Sequence, residues 1–458
     1  MKSKLFVVLA VLVLVGILFP SCAPDEVTVP TPANINPIIF VHGFAGSAAQ
    51  FESQAMRFAS NGYPSSYITA CEYDSSPGLS PEFPPEDVLT GIDQFIDTVI
   101  NDTGAEKVDI VGHSLGTKVS QTYLRSSPER AAKVAHYVNI DGFASADLPG
   151  GVPTLALWAG RRPPGFPAAG AIVGATNVTL PNVTHVECAT CPAAFVEMFK
   201  FLTGQAPATD KILPEPSGKI QLAGRVVIFP QNIGIQEEDS SLQVWEVDGK
   251  TGTRITAQPL ATYPMEGATG AWGPFDGRSG ANYEFCLVRD AFTTHYYFET
   301  SIRSDYLIRL STEAAGGRGL SSHMDTSDRH SNMLIGRGKE FWGDQDAGND
   351  VLTVDGNNVI TPETCPLNKL VNVIFVYDNG ADSKNDLTAP TPYFYNVMPV
   401  FMSGVDIFIP AADPPNRTIS VMLTPRGGGG ETQVINIPNW ISTKHRIGIL
   451  FNDFIQAE

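Results

Sequence analysis

Residues Val108-Asp109-Ile110-Val111-Gly112-His113-Ser114-Leu115-Gly116 are the best guide to the architecture of the first half of this chain. Its apolar beginning predicts a buried strand, and the residues after Ser114 follow the spacing of a helix. Gly112 and Gly116 lie two positions before and after the serine, where they let neighbouring backbone pass a sharp turn without a clash. A glycine-rich turn without chemistry is the alternative, but the flanking strand and helix favour a nucleophile elbow, so we expect Ser114 to be a catalytic nucleophile.

Two backbone N–H groups are candidates for stabilising an oxyanion. Leu115 begins the predicted helix, so its N–H lies at the positive end of the helix dipole. A second donor is expected after an early strand, and Ile38-Ile39-Phe40-Val41 is followed by His42-Gly43-Phe44. We predict that the Phe44 N–H is this donor and that His42 and Gly43 shape its turn. A plain strand-ending turn is the alternative.

A serine of this kind needs a histidine base, which follows both the nucleophile and the acid in the chain. Of the eight histidines, His42 and His113 belong to motifs and His136 lies in a strand pattern. Only His185 remains in the first half, between a late strand and the last helix of that half. We therefore predict that His185 is the base.

The acid is expected at the carboxyl end of a strand. The strand pattern of residues 152–158 is followed by Gly160-Arg161-Arg162, without a carboxylate. Asp141 ends the preceding strand and is our candidate, with Asp147 as the rival. A turn-forming Asp-Gly pair is the reading of Asp141 without chemistry.

Strand and helix patterns alternate from residue 37 to residue 205, which predicts a mostly parallel sheet with helices on both faces. The 70 residues between Ser114 and His185 must supply three strands, so a large cap domain does not fit. Any lid is small, and its candidates are residues 75–85 and 163–175, which are equally compatible with plain surface loops.

The second half has a different periodicity. After a proline-containing linker at 206–218, short alternating runs are punctuated by turn signals such as Asp248-Gly249 and Asp355-Gly356. This pattern predicts an all-β region, which we divide into two β-sandwich-like domains at 219–300 and 301–458.

Residues 37–205 resemble bacterial and archaeal lipases of the α/β-hydrolase superfamily. The resemblance is carried by His42-Gly43-Phe44, Gly112-His113-Ser114-Leu115-Gly116, Asn139-Ile140-Asp141-Gly142 and Thr184-His185. A subset of those lipases has a C-terminal β region, which the segments 247–249, 272–275 and 283–285 resemble. The resemblance implies a cofactor-independent hydrolase that cleaves carboxylic esters with apolar acyl chains through an acyl-enzyme.

Two other functions remain open. The same triad serves thioesterases, amidases and polyester depolymerases, so the chain could be another serine hydrolase. It could also be a non-catalytic surface lipoprotein that uses its β half for adhesion.

The N-terminus has the features of an export signal. Lys2 and Lys4 precede an apolar run at 5–19, followed by Pro20-Ser21-Cys22. We expect residues 1–22 to be a signal peptide and Cys22 to resemble the lipidation site of bacterial lipoproteins; ordinary cleavage and an uncleaved anchor are the alternatives. Residues 23–36 form a proline-rich tether. The expected locations are the outer membrane or cell surface, through a lipid anchor, or the medium.

Charge and cysteine content narrow the possibilities further. The formal charge of −18 and the pI near 4.8 argue against a nucleic-acid partner. Export permits disulfides, and the candidate pairs are Cys188 with Cys191 and Cys286 with Cys365, although sequence does not settle the pairing. No metal site is predicted, because the acidic and histidine clusters at 323–330 and 344–350 are more typical of solvated turns. The sequence does not predict the oligomeric state.

Overall fold

The computed structural model describes residues 29–452 except 165–168, 236, 238, 266–268, 315–318, 389–400 and 427–430. The predicted signal peptide and its Cys22 lie outside the described residues. Among the residues that are described, no helix has the length and apolar character needed to cross a membrane.

The first half is built on a six-stranded parallel sheet in the order β2-β1-β3-β4-β5-β6. Each strand carries mostly buried residues except the edge strand β6, as expected for a sheet covered on both faces. The strands are β1 (Ile38–Val41), β2 (Ile68–Cys71), β3 (Val108–His113), β4 (Val134–Ile140), β5 (Thr154–Ala159) and β6 (Thr176–Leu180).

Helices cover both faces of this sheet. Ile38 and Phe40 point to the face that packs against α1 and α6, whereas Ile39 and Val41 point to the face that packs against α2 and α3. The predicted fold class is therefore confirmed. The helices are α1 (Glu52–Ser60), α2 (Glu86–Thr103), α3 (Leu115–Ser126), α4 (Pro128–Ala132), α5 (Glu187–Thr190) and α6 (Pro192–Thr203).

The second half contains sixteen strands among the described residues, arranged in three sheets. An eight-stranded mixed sheet has the order β10-β9-β12-β13-β22-β15-β18-β19, and the smaller sheets have the orders β11-β7-β14, with β8 on β7, and β17-β16-β20-β21. The strands are β7 (Lys219–Ile228), β8 (Ile233–Gly234), β9 (Ser241–Val247), β10 (Ala261–Pro264), β11 (Ala271–Arg278), β12 (Asn282–Val288), β13 (Thr293–Phe298), β14 (Asp305–Thr312), β15 (Met333–Arg337), β16 (Val351–Val354), β17 (Asn357–Asn358), β18 (Val373–Tyr377), β19 (Met402–Asp406), β20 (Thr418–Thr424), β21 (Gln433–Pro438) and β22 (His445–Phe451).

The eight-stranded sheet is shared by two sandwich-like cores. The sheet of β11, β7 and β14 packs on its β9-β12-β13 part, and the sheet of β16, β20 and β21 packs on its β22-β15-β18-β19 part. The neighbouring residues Tyr296 and Tyr297 of β13 enter different cores, one on each face. Because β13 pairs in parallel with β22, the division at residue 300 passes through one continuous sheet. The division itself stays a prediction.

The two halves are packed against each other. The predicted linker 206–218 lies along α1, where Ile212 packs on Met56 and Arg57 Nε donates to the carbonyl of Asp210 at 2.9 Å. Leu307 of β14 belongs to the apolar core of the first half. The β half is therefore fastened to the α/β half through buried contacts.

Candidate active site

Ser114 occupies the turn between β3 and α3 with φ 53° and ψ −121°, a conformation that non-glycine residues rarely adopt. The turn leaves no room for side chains beside it. A Cβ on Gly116 would lie 2.2 Å from the carbonyl oxygen of Val41, and a Cβ on Gly112 would lie 2.8 Å from that of Gly116. A side chain at either position would therefore clash with backbone, which explains why both are glycine. The sharp turn places the serine at the carboxyl end of the sheet.

The structure brings Ser114, His185 and Asp141 together. His185 Nε2 lies 3.0 Å from Ser114 Oγ, and His185 Nδ1 lies 2.7 Å from Asp141 Oδ2. When Nδ1 donates to the carboxylate, Nε2 is free to accept the hydroxyl proton of the serine. The rival acid Asp147 does not take part in this contact; it is exposed and pairs with Arg125 at 2.6 Å.

Asp141 is buried yet held as an anion. Burial opposes its ionisation, but the hydrogen bond from His185, the N–H of Ala159 at 2.9 Å and the guanidinium of Arg162 together keep the pKa of Asp141 below its usual value. Sequence reasoning missed Arg162. Its position after β5, the neighbour of the strand that Asp141 follows, is the signal that could have identified it.

The loop of Phe44 lies beside the nucleophile. At Gly43 a Cβ would approach Ser114 Cβ to 3.0 Å. The neighbouring N–H groups are used: that of Gly43 donates to Gln50 Oε1 at 3.2 Å, and that of Ala45 donates to Ser75 Oγ at 2.9 Å. The Phe44 N–H has no partner among the described residues, and the N–H of Leu115, the first residue of α3, has no acceptor within the helix. Both N–H groups are thus available for a ligand oxygen.

His42 supports this loop. It is fully buried, stacks on Tyr73 with ring centroids 4.2 Å apart, and contacts the carbonyl of Gly43 through Nδ1 at 2.9 Å. Burial lowers its pKa. The side chain therefore holds the turn, and the remaining ring nitrogen accepts from Asn232 of the β half at 3.2 Å.

His113 supports the base instead. Its Nε2 lies 3.0 Å from the carbonyl oxygen of His185, and its Nδ1 lies 2.6 Å from Gln50 Nε2. Burial, with a smaller contribution from His185, lowers the pKa of His113 to about 3. A neutral ring that donates through Nε2 and accepts through Nδ1 satisfies both contacts.

The candidate lid at residues 75–85 lies against the loop of Phe44, which we call the oxyanion loop. At Gly78 a Cβ would lie 2.2 Å from a methyl group of Leu115 and 3.3 Å from the ring of Phe44. The neighbouring Leu79 is 84% exposed. The other candidate, 163–175, is described only in part.

The cysteines form no disulfide among the described residues: Cys71, Cys188, Cys191, Cys286 and Cys365 are all free. The candidate bridges Cys188–Cys191 and Cys286–Cys365 are therefore absent from the structure. Cys286 and Cys365 lie in different surroundings, whereas Cys188 and Cys191 both pack against the core of the first half. Cys188 packs into the core of the first half, Cys286 lies on β12 beside Glu284, and Cys365 packs into the separate core around β15 and β18.

One group of possible metal ligands occurs in the described part of the chain, where donor atoms of Glu284, Cys286 and His295 lie within 4.8 Å of one another. The carboxylate of Glu284 already accepts two bonds from Arg254, at 2.8 and 2.9 Å, and one contact from His295 at 2.6 Å. The Glu284 carboxylate is thus already bonded to protein groups.

The two clusters weighed from the sequence are also engaged by protein groups. In the first, His330 contacts Ser327 Oγ at 2.9 Å and the carbonyl of Asp325 at 3.1 Å. In the second, Asp350 pairs with Arg337 and Arg426, both at 2.8 Å.

Three family models match this chain. Residues 35–131 match the class 2 lipase family, residues 218–315 match the lipase C-terminal domain, and residues 319–455 match a further C-terminal domain family. The first match contains the Ser114 elbow and the Phe44 loop, and the other two cover most of the β half.

Solved structures similar to this chain include lipase B of Aspergillus fumigatus, with 16% identity over 40% of this chain and 57% of that one, at a TM-score of 0.29. Others are a predicted CIB-like hydrolase of Thermoplasma acidophilum (17% identity, 38% and 89% covered, TM-score 0.28) and carboxylesterase CesB of Bacillus subtilis (14%, 38% and 86%, 0.27).

The family matches agree with the architecture, in which a parallel sheet with helices on both faces precedes a large β region. The matched segments therefore carry a class 2 lipase domain followed by a lipase C-terminal domain, which supports a lipase-type α/β-hydrolase with a C-terminal β region and the activity of a carboxylic ester hydrolase.

Proposed function

We propose that this protein is a lipase that hydrolyses acylglycerols or other esters of apolar acyl chains through an acyl-enzyme intermediate. The observation that carries the proposal is the contact of 3.0 Å between Ser114 Oγ and His185 Nε2, with the other ring nitrogen on Asp141.

The geometry supports the usual two-step acyl transfer. His185 takes the hydroxyl proton while Ser114 Oγ bonds to the ester carbonyl carbon, and the negative charge develops on the carbonyl oxygen. The N–H groups of Phe44 and Leu115 stabilise this oxyanion, and each such donor contributes ~3 kcal/mol to the transition state. Collapse breaks the bond to the alcohol, which receives the proton from His185. Water, activated by the same imidazole, then releases the carboxylic acid and restores the serine.

An apolar substrate suits the surface near the site. Leu79 is highly exposed on the loop that touches Phe44 and Leu115, and Phe143, two residues after Asp141, is about half exposed. Phe401 of the β half adds a ring whose centroid lies 6.4 Å from that of His185. Exposed apolar side chains around a reactive serine favour esters with long acyl chains.

Labelling by a fluorophosphonate tests the nucleophile. Wild-type protein and Ser126→Ala, a serine variant on the same helix away from the elbow, are expected to react, and Ser114→Ala is not. An unlabelled wild-type protein would contradict the proposal and favour a non-catalytic surface protein.

A panel of substrates tests the class of ester. We expect p-nitrophenyl esters of long acyl chains and emulsified triacylglycerols to be cleaved faster than p-nitrophenyl acetate. Activity confined to acetate, or faster cleavage of thioesters, amides or polyesters, would instead assign the triad to another serine hydrolase.

We also propose that the protein is exported and anchored by a lipid on Cys22. Support comes from the basic start, the apolar run at 5–19 and the position of the cysteine. Radiolabelled palmitate should be incorporated into the wild type and not into Cys22→Ser. A wild-type protein that stays unlabelled while it is exported would indicate ordinary signal cleavage or an uncleaved anchor.

A further inference from the structure

The peptide group that joins His185 to Val186 is held from both sides. Its carbonyl oxygen accepts from His113 Nε2 at 3.0 Å, and its N–H donates to Glu340 Oε1 at 2.7 Å. His113 belongs to the serine elbow, but Glu340 lies in the β half, 154 residues beyond Val186.

The Glu340 carboxylate receives further donors from the same short loop. The N–H of Glu187 lies 3.3 Å from Oε2, and the hydroxyl of Thr184 donates to the same oxygen. Glu340 is 1% exposed, so these donors replace water around a buried charge. They lie at the start of α5, where backbone N–H groups have no acceptor within the helix. A carboxylate that accepts them makes charge-assisted bonds, which are about twice as strong as neutral ones.

Glu340 is itself fastened within the β half. Arg426 Nη1 donates to the backbone carbonyl of Glu340, and the same guanidinium pairs with Asp350 at 2.8 Å and with Glu187 at 3.0 Å. The ring of Trp342 lies between two guanidinium groups, 4.0 Å from that of Arg426 and 3.6 Å from that of Arg161. These contacts tie the segment that carries Glu340 to Asp350 within the β half and to Glu187 and Arg161 of the first half.

The imidazole of His185 must meet Ser114 with one nitrogen and Asp141 with the other. The position of the His185 backbone determines where the imidazole ring lies. A displacement of that ring by ~1 Å lowers the rate by ~10²-fold. We propose that Glu340 is a positioning residue for His185, so that the β half completes the active site and is more than an accessory to it. This inference rests on the proposed function of Ser114 and His185.

Substitution of Glu340 tests the inference in the full-length protein. For Glu340→Ala we expect kcat to fall by ~10- to 100-fold, since the loop loses its fixed peptide group, with KM changed by less than about 2-fold. For Glu340→Gln we expect a smaller fall, because the amide oxygen still accepts from Val186. The rate of fluorophosphonate labelling should fall in the same order.

Arg303→Ala is the matched control. Arg303 also joins the two halves, through bonds to the carbonyls of Ala59 at 2.9 Å and Leu213 at 3.0 Å, but it does not contact the His185 loop. We expect this variant to lose stability and keep the wild-type kcat.

The outcomes are distinguishable. An active wild type whose kcat survives Glu340→Ala, with a loss of stability like that of Arg303→Ala, would overturn the positioning role alone. If Glu340→Ala does not fold, a wild-type kcat in Glu340→Gln would do the same. An inactive, unlabelled wild type would overturn the proposed function and this inference with it.

Discussion

The Ser114 turn and the His185 loop meet at one site, but they are held in different ways. The turn is specified by Gly112 and Gly116, two positions on either side of the serine, although the backbone that Gly116 must clear is that of Val41 in β1. The loop depends on Asp141, on His113 and on Glu340 from the other half of the molecule. A nucleophile can thus be encoded locally, whereas the position of its base is a property of the whole fold.

The largest expected effect comes from removing the acid of the loop. Asp141→Asn should lower kcat by ~10⁴-fold, because the amide neither fixes the imidazole tautomer nor stabilises its positive charge. Steady-state kinetics would measure the fall in kcat, and thermal unfolding would show whether the variant is still folded. Asp147→Asn removes an exposed carboxylate whose partners in the described part of the chain are Arg125 and Ser145, and it should keep the wild-type rate. Equal losses in the two variants would contradict the assignment of Asp141.

A second prediction separates stability from catalysis in the β half. Burial opposes ionisation of Glu284, but Arg254 and His295 lower its pKa to about 2. A depressed pKa stabilises the fold above the ordinary value near 4.5, and this contribution, ~3 kcal/mol, is lost as the pH falls toward 2. Glu284→Gln should therefore be less stable than wild type at pH 7 and nearly equal to it at about pH 2, with kcat unchanged.

Urea unfolding at several pH values would check this difference. Glu246→Gln serves as control, because Glu246 pairs with Arg278, whose side chain is mostly exposed, and such pairs contribute at most ~1 kcal/mol. A destabilisation of Glu284→Gln that does not change with pH would contradict the prediction.

A smaller effect is expected at the oxyanion loop, which the β half also contacts. Asn232 Nδ2 donates to the carbonyl of Gly46 at 2.5 Å and to His42 Nε2 at 3.2 Å. Asn232→Ala should lower kcat by ~10-fold, less than the ~10²- to 10³-fold expected when a donor is removed outright, because the Phe44 N–H remains. Asn436→Ala, which loses one bond to Gly249 within the β half, should keep its rate. If both variants have the same kcat, the contacts of the β half would affect catalysis only through the His185 loop.

The smallest effect is expected from reducing agents. Because the described cysteines are free and burial raises the pKa of Cys71, Cys286 and Cys365 to about 12, dithiothreitol should change neither the melting temperature nor kcat. Thiol titration of the unfolded, unreduced Cys22→Ser variant should find five thiols. Three or one would indicate disulfides.

Much of the first half could be predicted because its strands are short and mostly buried, with helices between them. The predicted strand at 38–41 coincides with β1, and the helix predicted to begin at Leu115 is α3. The short helices α4 and α5 were missed, since four or five residues carry no visible period. In the β half the class was predictable from alternation, but the sheet shared across residue 300 was not, because strand pairing between distant segments leaves no local pattern.

The elbow at Ser114, the turn that carries Phe44 and the order of acid and base could be inferred from the motifs alone, because they depend on steric limits and chain order near each motif. Three contacts are visible only in the folded molecule: Arg162 on Asp141, Asn232 on the loop of Phe44, and Glu340 on the peptide group after His185. The physical reason is that a buried donor or carboxylate must find a partner in space, and packing places that partner far away in the chain.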